Sequence, residues 1–261
     1  MPILTTVEAV SFDRAADFYD ATRALPVDVH AQVTELLAAE LSGRGLCLEI
    51  GVGTGRIALP LVDRGLSVVG IDISAKMLRR LALNAGGGRL PSCVADVGAL
   101  PLWSGSVGAV MASHVLHLVP SWRAAVDEAV RVLRPGGVLL VDFGGAPASP
   151  WHEATVKVMG DVGVHRVRPG VSVPGPVEQH LAGRARPRPL TPLTLTVHRT
   201  LAQDLSDWAN QVHSWTWSHT PAQMAEACQA VRRWAADTGW PLDRRVDLER
   251  TIQWWAFELT D

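Results

Sequence analysis

The sequence predicts an α/β fold built on a parallel sheet covered by helices on both faces. Two observations predict it. Between Leu46 and Phe143 short apolar runs alternate with helix-length amphipathic stretches, the pattern of successive βαβ units. The first of those runs closes on Gly51, Gly53 and Gly55, a turn at which a strand hands over to a helix. The composition agrees: 48% of the 261 residues are apolar, enough for a sizeable core and too many for a disordered chain.

The elements follow in order. Residues 12–23 read as a short amphipathic segment holding Tyr19, and a helix follows from Pro26 to Leu41, with Val29, Val33, Leu36 and Leu37 at helical spacing. Gly43 and Gly45 stop it. Leu46–Ile50 is the first strand, Arg56–Asp63 a helix, and Ser67–Ile71 a second strand reaching Asp72. Ser74 caps a helix through Leu83; Ser92–Ala95 and Val107–Ser113 are the third and fourth strands. Ser121–Leu133 is a helix broken by Arg134-Pro-Gly-Gly137, and Val138–Phe143 is the fifth strand.

Beyond Pro150 the rhythm changes. Residues 163–192, rich in Pro, Gly and Arg, read as an irregular excursion with one short helix at Pro176–Ala182, and Arg184, Arg186 and Arg188 within it as solvated. Leu193, Leu195 and Val197 alternate with polar residues as in a strand. Thr220-Pro221-x-Gln223 has the form of a capping box ahead of a helix facing inward through Met224, Cys228, Val231 and Ala235. Thr251–Leu259 reads as a last strand. The expected division is 1–145 as a ligand-binding core with an N-terminal lid, and 146–261 as a cap with two strands completing the same domain.

Charge and cysteine content exclude several classes. There are 24 basic and 26 acidic residues, split 12 to 14 up to Pro150 and 12 to 12 beyond it. Neither part has the basic excess of a nucleic-acid or anionic-membrane binder. Cys47, Cys93 and Cys228 lack paired spacing, so no disulfide framework or zinc site is expected, which fits a reducing cytoplasm. No apolar stretch is long enough to span a membrane, residues 1–20 lack the pattern of a signal peptide, and no metal-ligand cluster is apparent.

The glycine turn selects the ligand class. Glycines permit positive φ and bring bare backbone to a ligand. A dinucleotide fingerprint needs Gly three residues after Gly53, where Arg56 stands, and a nucleotide-triphosphate loop needs a lysine that is absent. What remains is Glu49-x-Gly51-x-Gly53-x-Gly55. Asp72 ends the second strand, 21 residues after Gly51, where a carboxylate can accept from both ribose hydroxyls. Asp96 ends the third, where a carboxylate can accept from an adenine amino group. Three strand ends thus offer groups for an amino-acid tail, a ribose and an adenine.

With LEIGVGTG (48–55), VVGIDIS (68–74), ADVGALPLWSGSVGAVMASHVLHLVP (95–120) and RVLRPGGVLLV (131–141) in this order, the sequence resembles the class I S-adenosylmethionine-dependent methyltransferases, most closely the small-molecule type 11 branch. FDRAADFYDATRALP (12–26) is similar to openings in that branch. The resemblance implies a Rossmann-like, doubly wound sheet of seven strands, the last antiparallel, with an N-terminal helical lid and a C-terminal helical cap. It implies that Gly51, Gly53 and Gly55 wrap the methionine and ribose portions of S-adenosylmethionine and that Glu49 faces the amino-acid end. Asp72 would hold the ribose, Ile73 and Met77 would line the adenine, and Asp96 and Val97 would read its edge. Ser113 would lie near the methionine tail, with Tyr19 and Arg23 forming the lid and Arg23 pairing the carboxylate.

The function expected is methyl transfer to an O, N or C nucleophile of a small molecule. The alternatives are a non-catalytic S-adenosylmethionine-binding protein and an enzyme using the same molecule without methyl transfer. Motifs of nucleic-acid amino and cytosine methylases are absent. His117, after the fourth strand, is the candidate general base. His114, His213, Trp215 and Trp217 are candidates to contact the acceptor, the last three with His219 in an aromatic-imidazole run.

Overall fold

The structure, a computed structural model, describes residues 11–145 and 149–260. Residues 1–10, on which half of the signal-peptide reading rests, lie outside the described residues. The chain divides into two compact units.

The first unit comprises the chain to Gly144, Pro169–Leu193 and Ile252 onward. Its elements in chain order are α1 (Tyr19–Arg23), α2 (Val27–Leu41), β1 (Cys47–Ile50), α3 (Ala58–Asp63), β2 (Val68–Asp72), α4 (Ala75–Asn84), β3 (Ser92–Val94), β4 (Val107–Ser113), α5 (Trp122–Val132) and β5 (Leu133–Asp142). After the excursion into the second unit, α6 (Gly175–His180), β6 (Ala185–Pro189) and β7 (Trp254–Leu259) complete it. Seven strands form one sheet in the order β3-β2-β1-β4-β5-β7-β6. All neighbours from β3 to β5 are parallel, and β7 runs antiparallel to both β5 and β6. β1 to β5 thus stand in the doubly wound order, with the switch point between β1 and β4, where open α/β sheets bind ligands. The central strands β1 and β4 are buried along their whole length, as a sheet covered on both faces requires.

The seventh strand corrects the sequence reading. Leu193–Val197 is a strand, but it is not in this sheet; the seventh strand is Ala185–Pro189, inside the supposed irregular excursion. Two prolines in five residues argue against an interior strand, and β6 is tolerated because it lies at the sheet edge. The solvent-exposed Arg188 within it also bonds Glu40 and Glu258, and Arg184, just before it, bonds Asp127. The helix after the glycine turn begins at Ala58 and not at Arg56, so Arg56 belongs to the turn.

The second unit comprises Gly145–Arg168 and Thr194–Thr251. A helix at His152–Asp161, a second at Leu201–Ala209 and a third at Pro221–Asp237 pack around Trp151, Met159, Leu205, Trp208, Met224 and Val231. Strands Leu193–Arg199 and Val246–Ile252 pair as a separate two-stranded sheet. The capping box at Thr220 is present, its hydroxyl accepting from Gln223 N–H while the Gln223 side chain accepts from Thr220 N–H, and Met224, Cys228, Val231 and Ala235 are buried as the periodicity requires.

Candidate active site

A cleft open to solvent lies at the carboxyl ends of β1 to β4. Its lining includes Tyr19, Gly51, Gly53, Asp72, Ile73, Met77, Asp96, Val97, Ser113 and His114 of the sequence candidates. It also includes Phe12, Val115, Leu118 and Val119, which sequence reasoning did not single out. Glu49, Gly55, Arg23 and His117 are not among the lining residues.

The turn after β1 is shaped by what glycine lacks. Gly51 has φ +64°, and a Cβ there would stand 2.3 Å from a Val115 methyl. Gly55, at φ +86°, would collide at 2.4 Å with Leu81. Gly51 therefore lets the turn pass against the residues following β4, whereas Gly55 seats the turn on α4, which accounts for its position off the cleft.

Asp72 shapes the next strand end. Its Oδ2 accepts from Gly53 N–H at 2.9 Å and its Oδ1 from Ser74 N–H at 2.8 Å. Each carboxylate oxygen retains acceptor capacity. Burial pushes its pKa up, against the backbone donors of Ser74, Gly53 and Ile73. Asp96, exposed at the end of β3, takes Gly98 N–H on Oδ1 at 2.7 Å. Ile73, Met77 and Val97 place apolar surface between the two carboxylates.

Glu49 lies behind the turn, 2% exposed. Its Oε2 is buried with no hydrogen-bond partner among the described residues. Burial raises its pKa to about 8, more than the nearby Arg56 charge and the Ala58 N–H can offset. Arg56 was not a sequence candidate, yet its Nη2 lies 3.4 Å from Ser113 Oγ. Only the fold reveals it, because a turn arginine carries no signal of direction. The Arg23 guanidinium donates to Thr22 O at 3.2 Å.

The N-terminal segment is held by two acidic residues. Asp13 accepts from Ser74 Oγ, and Asp20 accepts from Thr54 Oγ1 and Asn84 Nδ2. Phe12 and Tyr19 meet edge to face at 5.8 Å and both line the cleft. The Ser74 hydrogen bond holds Asp13 below the usual carboxylate range.

The two histidines after β4 differ. His114 lines the cleft and lies 3.0 Å through Nε2 from the buried Asp142. Burial alone would raise the Asp142 pKa, but the hydrogen bond and charge of His114 bring it below the ordinary value. His117 sits in a short 3-10 turn, Leu116–Leu118, its carbonyl accepting from Gly170 N–H and its ring edge-on to His114 at 6.4 Å.

His213, Trp215 and Trp217 belong to the second unit. Trp215 packs edge-on against Trp208 and under Arg166, and Trp217 Nε1 donates to Gln211 O. His213 lies 3.8 Å from Asp207. Among the described residues no helix is long and apolar enough to cross a membrane, and no cluster of His, Cys, Asp or Glu is placed to hold a metal ion.

Comparison with known proteins agrees with this geometry. A family described as methyltransferase domain matches residues 48–141, the stretch from β1 to the end of β5. An uncharacterized methyltransferase of Mycobacterium tuberculosis is 42% identical over 95 residues, covering 35% of this chain and 37% of the relative. A ubiquinone/menaquinone biosynthesis C-methyltransferase of Syntrophotalea carbinolica is 32% identical over 146 residues, covering 53% and 62%. The chain thus spans little more than a third of the first relative's length and under two thirds of the second's. A crystal structure of a putative methyltransferase from Bacillus halodurans shares the fold, with a TM-score of 0.60 at 16% identity over 88% of this chain and 100% of that one.

Proposed function

We propose that the protein, whose residues 48–141 match the methyltransferase domain family, is a class I methyltransferase of the type 11 branch that transfers a methyl group from S-adenosylmethionine to a small-molecule acceptor. The observation that carries this reading is the row of Gly51, Gly53, Asp72, Asp96 and Ser113 along one cleft at successive strand ends. The residues fit the molecule. Asp72 keeps acceptor capacity on both oxygens for a ribose diol, and Asp96 Oδ2 can accept from an adenine amino group. Ile73, Met77 and Val97 give the base an apolar seat. The orphaned Glu49 Oε2 suits an ammonium group, and the Arg56 guanidinium beside Ser113 suits a carboxylate.

When bound, S-adenosylmethionine supplies a methyl group already activated by its sulfonium. What remains for the chain is to align the acceptor and exclude water. Phe12 and Tyr19 do the latter from the N-terminal segment, and Val115, Leu118 and Val119 offer an apolar wall to the acceptor.

Titration calorimetry with S-adenosylhomocysteine tests the reading. A hydrogen bond to a charged group is worth roughly 1.5–3 kcal/mol. Asp72→Ala removes the acceptor for two hydroxyls, so affinity falls at least about tenfold, at about 1.4 kcal/mol per decade. Unchanged affinity in a folded Asp72→Ala protein refutes the ribose assignment, and no binding by the wild type refutes the function.

A further inference from the structure

We propose that His114, oriented by Asp142, is the base that takes the acceptor's proton, and that the acceptor carries an acidic hydroxyl on an apolar aromatic framework. This rests on the methyl-transfer reading and extends it to the substrate class. The sequence placed the base at His117; the geometry points one turn earlier.

Four observations converge on His114. Its ring lines the cleft beside Val115, Leu118 and Val119. Its Nε2 stands 3.0 Å from Asp142 Oδ2. An ionised carboxylate can only accept, so Nε2 carries the hydrogen of that bond, and in the neutral ring the lone pair is then on Nδ1. Gly144 makes room for the ring's face: a Cβ there would stand 3.1 Å from Nδ1, 3.2 Å from Cε1 and 3.3 Å from Cγ. Finally, His114 holds a backbone φ of +57°, a region that residues with a side chain seldom adopt, and its N–H is fixed on Asp142 O at 2.9 Å. Such strain in a residue that lines a cleft is where function is found. His114 is therefore tied to Asp142 through both backbone and ring, which sets the direction of Nδ1.

The acceptor class follows from the base and the wall. A neutral imidazole removes protons from phenol-like hydroxyls far more readily than from alkyl alcohols, and Val115, Leu118 and Val119 match an apolar ring. The acceptor's O–H bond breaks and its proton goes to Nδ1. The electron pair left on oxygen forms the new O–C bond, while the C–S bond of the donor breaks with its pair kept by sulfur. The titratable groups facing His114 are Asp142 on β5 and His117 on the 3-10 turn; Arg56, after β1, acts on the same Asp142, and Tyr19, Asp72 and Asp96 line the same cleft.

The test takes the full chain with S-adenosylmethionine and, as acceptors, phenol, 2-naphthol, catechol and hydroquinone, following S-adenosylhomocysteine release from about pH 5.5 to 9. The wild type turns over at least one of them, and its rate rises with pH across this range. His114→Asn, chosen because Asn tolerates a left-handed backbone, lowers turnover roughly 10²–10⁴-fold and flattens the pH profile. Asp142→Asn lowers turnover and displaces the profile, since an amide no longer demands a hydrogen on Nε2. Nitrogen-15 spectra of the ligand-free wild type show the Nε2–H form of His114. An Nδ1–H form overturns the proposal, as does a His114→Asn protein that keeps rate and profile, or release from none of the four compounds while S-adenosylhomocysteine still binds. Failure of the wild type to bind S-adenosylhomocysteine instead refutes the methyl-transfer reading itself, and this proposal with it.

Discussion

Glu49 shows how one residue can link ligand binding to pH. Burial raises its pKa from 4.5 to about 8. Between those values the folded chain holds a proton that the unfolded chain has released, so stability falls as pH rises through that window. The slope from this group is at most about 1.4 kcal/mol per pH unit. Glu49→Gln removes it. Urea unfolding is expected to show the variant gaining on the wild type from pH 5 to 8; parallel curves would mean that Glu49 is already ionised. An ammonium group brought against Oε2 would drive the proton off. Calorimetry of S-adenosylmethionine at pH 7 in phosphate and in Tris is expected to report release of about one proton for the wild type and none for Glu49→Gln.

Among the elements, the segment from Ser11 to Arg23 depends on others for its position. α1 is five residues long with no buried side chain, too short to be stable by itself. It is held by Asp20 on Thr54 and Asn84 and by Asp13 on Ser74. Asp20→Ala is expected to cost only about 1 kcal/mol of global stability. It is also expected to speed amide exchange across residues 19–23 and to weaken S-adenosylhomocysteine, because Tyr19 loses its seat at the cleft. Affinity and exchange equal to wild type would show that Phe12 and Tyr19 are held by packing alone. Sequence pattern placed the helix before β1 and all five strands from β1 to β5; all of them but β3, whose three residues are exposed, bury apolar side chains. Periodicity could not place β6, whose Arg-Pro-Arg-Pro run carries no apolar pattern and is set by pairing with β7 at an edge.

For the whole molecule, the division into two units separates two kinds of stability. Every residue lining the cleft belongs to the first unit. Six of the ten tryptophans, including Trp151 and Trp208, belong to the second. Trp151 is 1% exposed and donates through Nε1 to Asp204 Oδ2 at 2.8 Å. Trp151→Ala opens a large cavity and leaves that carboxylate short of a donor, a loss of about 3–5 kcal/mol. Tryptophan fluorescence in urea is expected to show an early transition in this variant, while calorimetry at zero urea still detects S-adenosylhomocysteine binding. Loss of both together would show that the two units fold as one.

By itself the sequence determined the parallel sheet, the glycine turn and the carboxylates at successive strand ends, and with them a cleft of one chemical kind. These are local matters: apolar period, turn residues and the rule that a doubly wound sheet binds ligands at its carboxyl edge. Tertiary structure alone decided the partners of those residues. Arg56 reaches Ser113 across 57 positions of sequence. His114 finds Asp142 because β4 and β5 are parallel neighbours, with Ser113 in register with Asp142. Spacing along a chain gives the residue types available at a strand end; which side chain turns toward the cleft depends on packing from strands that are neighbours only in space.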